Sequence, residues 1–337
     1  MSNHSSSVNA ITFLDEPALE LLSGGYRAVI VPGVGSHVAE LSRPGESLSF
    51  LRTAPSEEVL RASAQRYGIP PLFPPNRIID GKFTTPYRTY TLPLNSSDGK
   101  DFMHGILHKR PWRVESSGVL ENGAAQAVLV MDMGREGEMY SYFPHEFTYE
   151  LTYTLSGDGL QQQVRITNRS QEPMPLGVGF HTALRVPFHA EGREEDYRLT
   201  VAVGEAWGLT PAFVADGTLH PLSAEDEALR HEGIRPTGAR YAKHFTGRPM
   251  EYRGREFYGT VLEDTRQGIR LVYEVDPQYG HWTIWNDDGQ SGFICPEPQT
   301  WANNAPNVDL PGEKTGFRLL GSGEVWTADA RLYVETN

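Results

Sequence analysis

The chain has 337 residues, 39% of them hydrophobic and 22% charged, with a formal net charge of −13. This is the composition of a soluble globular protein with a large core, and the charge argues against nucleic acid, whose phosphates need clustered Lys and Arg. Cys295 is the single cysteine, so no internal disulfide forms.

The N-terminus "MSNHSSSVNA" has neither a basic n-region nor an apolar h-region, and no later run reaches membrane-spanning length. A cytoplasmic protein without a membrane segment is expected, and residues 1–10 are expected to be a flexible lead-in. "GVGSHV", 33–38, has the start of a dinucleotide-binding glycine fingerprint but lacks its third glycine and a following helix, so it reads as a turn between strands. "PSEEVLRASAQRYG", 55–68, predicts a short helix with Ser56 as N-cap, acids in the first turn and Gly68 as the stop. "LFPPNRI", 72–78, ends an apolar, proline-rich stretch on Asn76–Arg77. An arginine there is either a surface charge or a five-donor fork aimed into a cleft.

Period-two alternation then predicts strands at 88–94 and 126–133. Between them, "FMHGILHKRPW" sets His104 and His108 four apart, the spacing of two metal ligands on a helix. Gly105 and Pro111 oppose a helix, and no third ligand accompanies them, so no metal is expected. His104 is left as a hydrogen-bonding loop residue or a structural one. "EFTYELTYTL" and "LQQQVRIT" alternate on either side of "SGDG" and predict a hairpin.

In "GFHTALRVPF", 179–188, His181 interrupts an apolar strand. A buried imidazole needs a partner, so it should face a carboxylate or an open site. Strands follow at 197–203, 257–263, 269–276, 281–286 and 325–334, with a second short helix at 223–233. "GFICPEPQTWANNAPN", 292–307, carries Glu297 between two prolines and then Asn303, Asn304 and Asn307. Many short strands with 34 Gly and 24 Pro indicate an all-β, antiparallel sandwich or large barrel in one domain over 1–337.

A carboxylate, an imidazole and several neutral or cationic donors suit proton transfer on an uncharged polyhydroxylated ligand. No Ser or Cys nucleophile sits in a recognisable elbow. Trp112, Trp282, Trp285 and Trp301 offer rings on which sugar C–H faces stack.

In order, "PPNRIIDGKF" with "YTLPLN", "HGILHKRPW", "GFHTALRVPF", "ICPEPQTWANNAPN" and "LPGEKTGF" resemble the aldose 1-epimerase (galactose mutarotase) family. The resemblance implies a large β-sandwich that interconverts the α and β anomers of a free aldose, an aldohexose or related sugar, without cofactor or metal, as a monomer or homodimer. It implies Glu297 as catalytic base and His181 as general acid. It further implies that Asn76, Arg77 and His104 hold the sugar. The chain departs from the family pattern twice. "YAKHFTG" has Ala242 or Lys243 where the family has a hydroxyl-gripping Asp, and "GHWTIWN" offers His281, with Trp282 beside it, where the family often has a Gln. Two alternatives stay open: a noncatalytic sugar-binding protein, and a sugar-phosphate epimerase with Arg88, Lys109, Arg110 and Arg185 as rim cations.

Overall fold

The structure, a computed structural model, describes residues 5–105 and 107–336. Five antiparallel strands, from Ser7–Phe13 to Leu48–Ser49, form an N-terminal meander. Ser7–Phe13 pairs along its length with Glu16–Ser23, so the expectation of a flexible lead-in fails for residues 7–10, whose backbone is spent on a ladder. Residues 1–4 of that expectation lie outside the described residues. The "GVGSHV" stretch is the turn between Tyr26–Val31 and His37–Arg43, with Gly35 and Ser36 at positive φ.

An eight-stranded antiparallel sheet follows, in the order Arg113–Val119, Ala125–Met133, Phe147–Ser156, Gly159–Asn168, Val325–Thr336, Ile269–Val275, Gly259–Asp264, Tyr197–Val201. Its centre is the expected hairpin, in which Ser156 pairs with Gly159 and Phe147 with Asn168. Phe147, Tyr149, Leu151, Tyr153 and Leu155 are buried while the intervening residues are half-exposed, because successive side chains leave a strand on opposite faces. Burying each large apolar side chain contributes about 1.5–3 kcal/mol before chain entropy is counted.

A second sheet runs Ala215–His220, Val203–Leu209, Ala242–Gly247, His281–Trp285, Phe293–Gln299, Gly179–Phe180, Pro71–Leu72. One apolar cluster joins the two inner faces, with Tyr149, Leu151 and Val164 from the first sheet and Phe180, Trp282 and Ile284 from the second. The molecule is therefore an all-β sandwich. Its short helices include Glu57–Ala62, where the Ser56 side chain accepts from the Val59 N–H, and Ala224–Ala228, capped by Ser223. No helix among the described residues is long and apolar enough to cross a membrane.

Candidate active site

Pro296 and Pro298 leave the ladder beside Glu297 short of two hydrogen bonds. The Thr300 N–H donates to the Val178 carbonyl at 2.8 Å, so even-numbered residues of this strand turn their backbone toward the Gly179–Arg185 side. Pro296 and Pro298 share that parity and have no N–H to give. Pairing on this edge survives at Gly179 with Gln299 and at Leu184 with Ile294, on either side of the prolines. The register is the same at both points, so His181 stands directly opposite Glu297. The N–H groups of His181 and Ala183 are on the far edge of their segment, where they donate to the carbonyls of Pro70 and Gly68 at 3.2 and 2.9 Å. Glu297, of opposite parity, stays in register with Thr283 on the other edge. This cross-strand opposition sets the His181 ring against the Glu297 carboxyl group.

His181 Nε2 lies 3.2 Å from Glu297 Oε1 at the floor of a cavity of about 660 Å³. Both side chains are almost wholly buried, at 6% and 2% exposure. Burial raises Glu297 well above the usual carboxylate range, against the hydrogen bond that Gln299 Nε2 donates to its Oε2 at 3.2 Å. Burial likewise pushes His181 down to about 3, and the guanidinium groups of Arg66 and Arg52 act the same way. Among the described residues no side chain partners His181 Nδ1, and only the residue's own backbone works against the burial. The contact has the length of an ion pair, but desolvation disfavours the charged form of both groups. The edge of the His181 ring also meets His104 and Trp285, with centroids 5.3 and 5.5 Å apart.

The surrounding wall comes from distant segments. Asn76 and His104 both adopt left-handed backbone, and the His104 N–H donates to the Asn76 carbonyl at 2.7 Å. Gly105 follows at positive φ, where an added Cβ would lie 1.9 Å from the Phe73 carbonyl oxygen, so only glycine permits this approach. Arg77 aims its guanidinium across the cavity while Asp101 Oδ2 holds it at 3.1 Å. The asparagines of "WANNAPN" act behind it. Asn303 Oδ1 accepts from the Arg77 N–H and Asn304 Oδ1 from the Ile79 N–H, both at 3.2 Å, while Asn307 Nδ2 donates to the Lys82 carbonyl at 2.8 Å. Their surplus over folding needs is thereby accounted for: they brace the loop that presents Asn76 and Arg77.

The structure brings together Glu297, His181, Asn76, Arg77 and His104 around one cavity, with His108 beside them. It does not bring Trp282 or His281 there. Trp282 is fully buried in the apolar cluster, because the strand's alternation sends it to the face opposite Thr283. His281 shares the face of Thr283 and Trp285 but lies one pair farther along. There its Nδ1 accepts from Trp207 Nε1 at 3.3 Å, its ring stacks on His244, and it lines a neighbouring cavity of about 1120 Å³. Of the four tryptophans, Trp285 lines the cavity of Glu297 and His181, and Trp112, Trp282 and Trp301 are buried.

Ala242 faces the cavity, whereas Lys243 turns outward to Asp226 at 2.6 Å. Sequence reasoning missed Thr283, whose parity with Glu297 across the ladder was the available signal, and Arg66 and Arg240 at the rim, which had none. Of the rim cations expected for a phosphorylated sugar, Lys109 lines the cavity, while Arg88 and Arg110 are tied to Glu172 and Glu138.

A family model described as Aldose 1-epimerase matches residues 17–333. The chain belongs to the aldose 1-epimerase family. A solved structure of a galactose mutarotase-like protein from Clostridium acetobutylicum is 32% identical to this family member, with a TM-score of 0.95 over 98% of each chain. A galactose 1-epimerase from Lactobacillus acidophilus shares the fold at a TM-score of 0.72 and 14% identity, over 97% of this chain and 98% of its own. Protein LacX (chromosomal) of Lactococcus lactis subsp. lactis is 22% identical over 61% of this chain, and Uncharacterized protein YihR of Escherichia coli K12 is 30% identical over 49%. The matched stretches span 64% and 49% of those two relatives' own lengths.

Proposed function

We propose that this aldose 1-epimerase family member is a mutarotase that opens and recloses the ring of a free aldose, with Glu297 and His181 as its proton-transfer pair. The observation that carries this reading is the 3.2 Å approach of Glu297 Oε1 to His181 Nε2 inside a sugar-sized cavity. The pair holds one transferable proton. Its charge-separated form is a tautomer of the resting neutral form, one proton transfer away along that hydrogen bond.

A hemiacetal entering between the two groups replaces their mutual bond with two new ones. Glu297 accepts the proton of the anomeric hydroxyl while His181 donates to the ring oxygen. The C1–O5 bond breaks as C1 and O1 become an aldehyde. Rotation about C1–C2 presents the other carbonyl face, and the two transfers run backward to give the opposite anomer. Each proton transfer contributes a factor of about 10²–10⁴. The Arg77 guanidinium stabilises charge developing on the ring oxygen. Asn76 and His104 hold ring hydroxyls from the opposite wall.

A phosphorylated aldose is the second reading, favoured by Lys109 and Arg240, exposed cavity residues without a carboxylate partner among the described residues. Polarimetry on freshly dissolved α-glucose, α-galactose and glucose 6-phosphate tests both. Catalysed mutarotation of the free sugars supports the first reading, and turnover of the phosphate alone supports the second. No acceleration of any aldose contradicts both.

A further inference from the structure

Thr283 sits opposite Glu297 across the ladder and lines the cavity with 6% of its surface exposed. Its hydroxyl oxygen has three nitrogen neighbours: His244 Nδ1 at 2.9 Å, Asn76 Nδ2 at 3.0 Å and Gln299 Nε2 at 3.2 Å. The direction of the first bond follows from the far side of the ring. His244 Nε2 accepts from the backbone N–H of Asn303 at 3.0 Å. A neutral imidazole has one acceptor and one donor nitrogen, so Nδ1 carries the proton and donates to Thr283. Burial keeps this ring neutral. The two amide nitrogens have only protons to give.

A hydroxyl oxygen offers two lone pairs and one proton. Three donors converge on those lone pairs, so Thr283 accepts nothing more, and none of the three neighbours takes its own proton. The side left to that proton is the cavity. The neighbouring Ala242 supplies no polar group to compete for a ligand at this wall.

We propose that Thr283 is the specificity-determining residue of this site, a hydroxyl held in donor-only orientation by His244, Asn76 and Gln299, which selects sugars carrying an acceptor oxygen at the facing ring carbon. The inference rests on the mutarotase reading for its substrate class. The same three bonds make Thr283 a junction. Gln299 reaches both the Thr283 hydroxyl and Glu297 Oε2, so the wall that reads the sugar also orients the base.

The test uses the full chain and a panel of glucose and galactose with their monodeoxy and monodeoxyfluoro analogues at each ring hydroxyl. Fluorine accepts a hydrogen bond and donates none. Wild-type protein loses about tenfold in kcat/KM at one carbon for the deoxy sugar, the worth of one hydrogen bond, and recovers part of it with fluorine. The change falls on KM, because a contact made equally to bound sugar and transition state is uniform binding. Thr283→Val erases the deoxy–fluoro difference at that carbon, and Thr283→Ser, which keeps the hydroxyl, retains it. The wild-type series reads the effect even where the valine variant folds poorly. Dissociation constants for the same panel, measured by calorimetry on Glu297→Gln, separate this inference from the reading beneath it. A fluorine-rescued binding preference without turnover of any sugar by the wild type contradicts the mutarotase and keeps the Thr283 assignment. Turnover with no carbon at which fluorine rescues a deoxy loss overturns the assignment. So does a Thr283→Val variant that lowers kcat for every sugar by one factor with the preference intact, the mark of a brace alone.

Discussion

Glu297 meets His181 because the two are cross-strand neighbours: the register that pairs Gly179 with Gln299 and Leu184 with Ile294 sets residue 181 opposite residue 297. The carboxyl is fixed by the Thr283 register on its other edge, and the histidine segment is fixed by the bonds of its own far edge to Gly68 and Pro70. A cross-strand pair thus becomes a two-group site, and both groups are desolvated by the sandwich around them.

That desolvation sets the pH response of catalysis. The net-neutral pair persists from about 3, where His181 takes a second proton, up to the raised value at which Glu297 releases the shared one. Unshifted groups would hold the working state only between 4.5 and 6.5. The enzyme-catalysed part of mutarotation, after subtraction of the buffer rate, is therefore flat across neutral pH. An alkaline limb with its midpoint near 6.5 contradicts the buried-pair account.

Fold stability responds to pH with the opposite emphasis. His37 is fully buried with neither ring nitrogen partnered among the described residues, and burial pushes it down to about 4. His281 is pushed down to about 3 for the same reason. An unfolded histidine binds its proton near 6.5, so below that pH the unfolded chain holds more protons than the folded one. Stability then falls with falling pH by up to about 1.4 kcal/mol per unit for each such residue. Urea midpoints at pH 7, 6 and 5 should decline steadily, and His37→Phe should flatten the decline. Equal midpoints at all three pH values would show that these rings find protons or partners when folded.

The buttress behind Arg77 predicts a variant remote from the chemistry. Asn303 Oδ1 accepts from the Arg77 N–H, and its Nδ2 donates to the carbonyl of Phe213, a cavity residue. Asn303→Ala leaves both backbone groups unpaired, costing about 1–3 kcal/mol in stability. It raises KM by roughly tenfold through loosened placement of Arg77 and Phe213. Calorimetric melting and initial-rate kinetics check the two effects, and an unchanged KM would separate the asparagine from the site.

Much of this was legible in the residues. The Phe147–Ser156 hairpin follows from alternation on either side of a turn sequence, and the Ser56 cap from side-chain chemistry. Glu297 and His181 stood out as polar groups in apolar strands. Parity, applied strictly, also forbids His281 and Trp282 from sharing one site, since neighbours on a strand point apart. What the sequence does not carry is long-range. Arg66 and Arg240 enter the cavity through chain segments with no local signal, and Thr283 matters only through three partners from distant parts of the chain. The titration of the pair belongs in the same class, because burial arises only once the sheets close over it.

The decisive measurement is the rate of α-to-β conversion of a fresh aldose by polarimetry, for wild type, Glu297→Gln and His181→Asn at equal concentration, with bound sugar verified by calorimetry. Each substitution should lower the catalysed rate by about 10²–10⁴ while the sugar still binds. Either variant turning over sugar at the wild-type rate would remove that residue from the chemistry and break the proton-sharing pair.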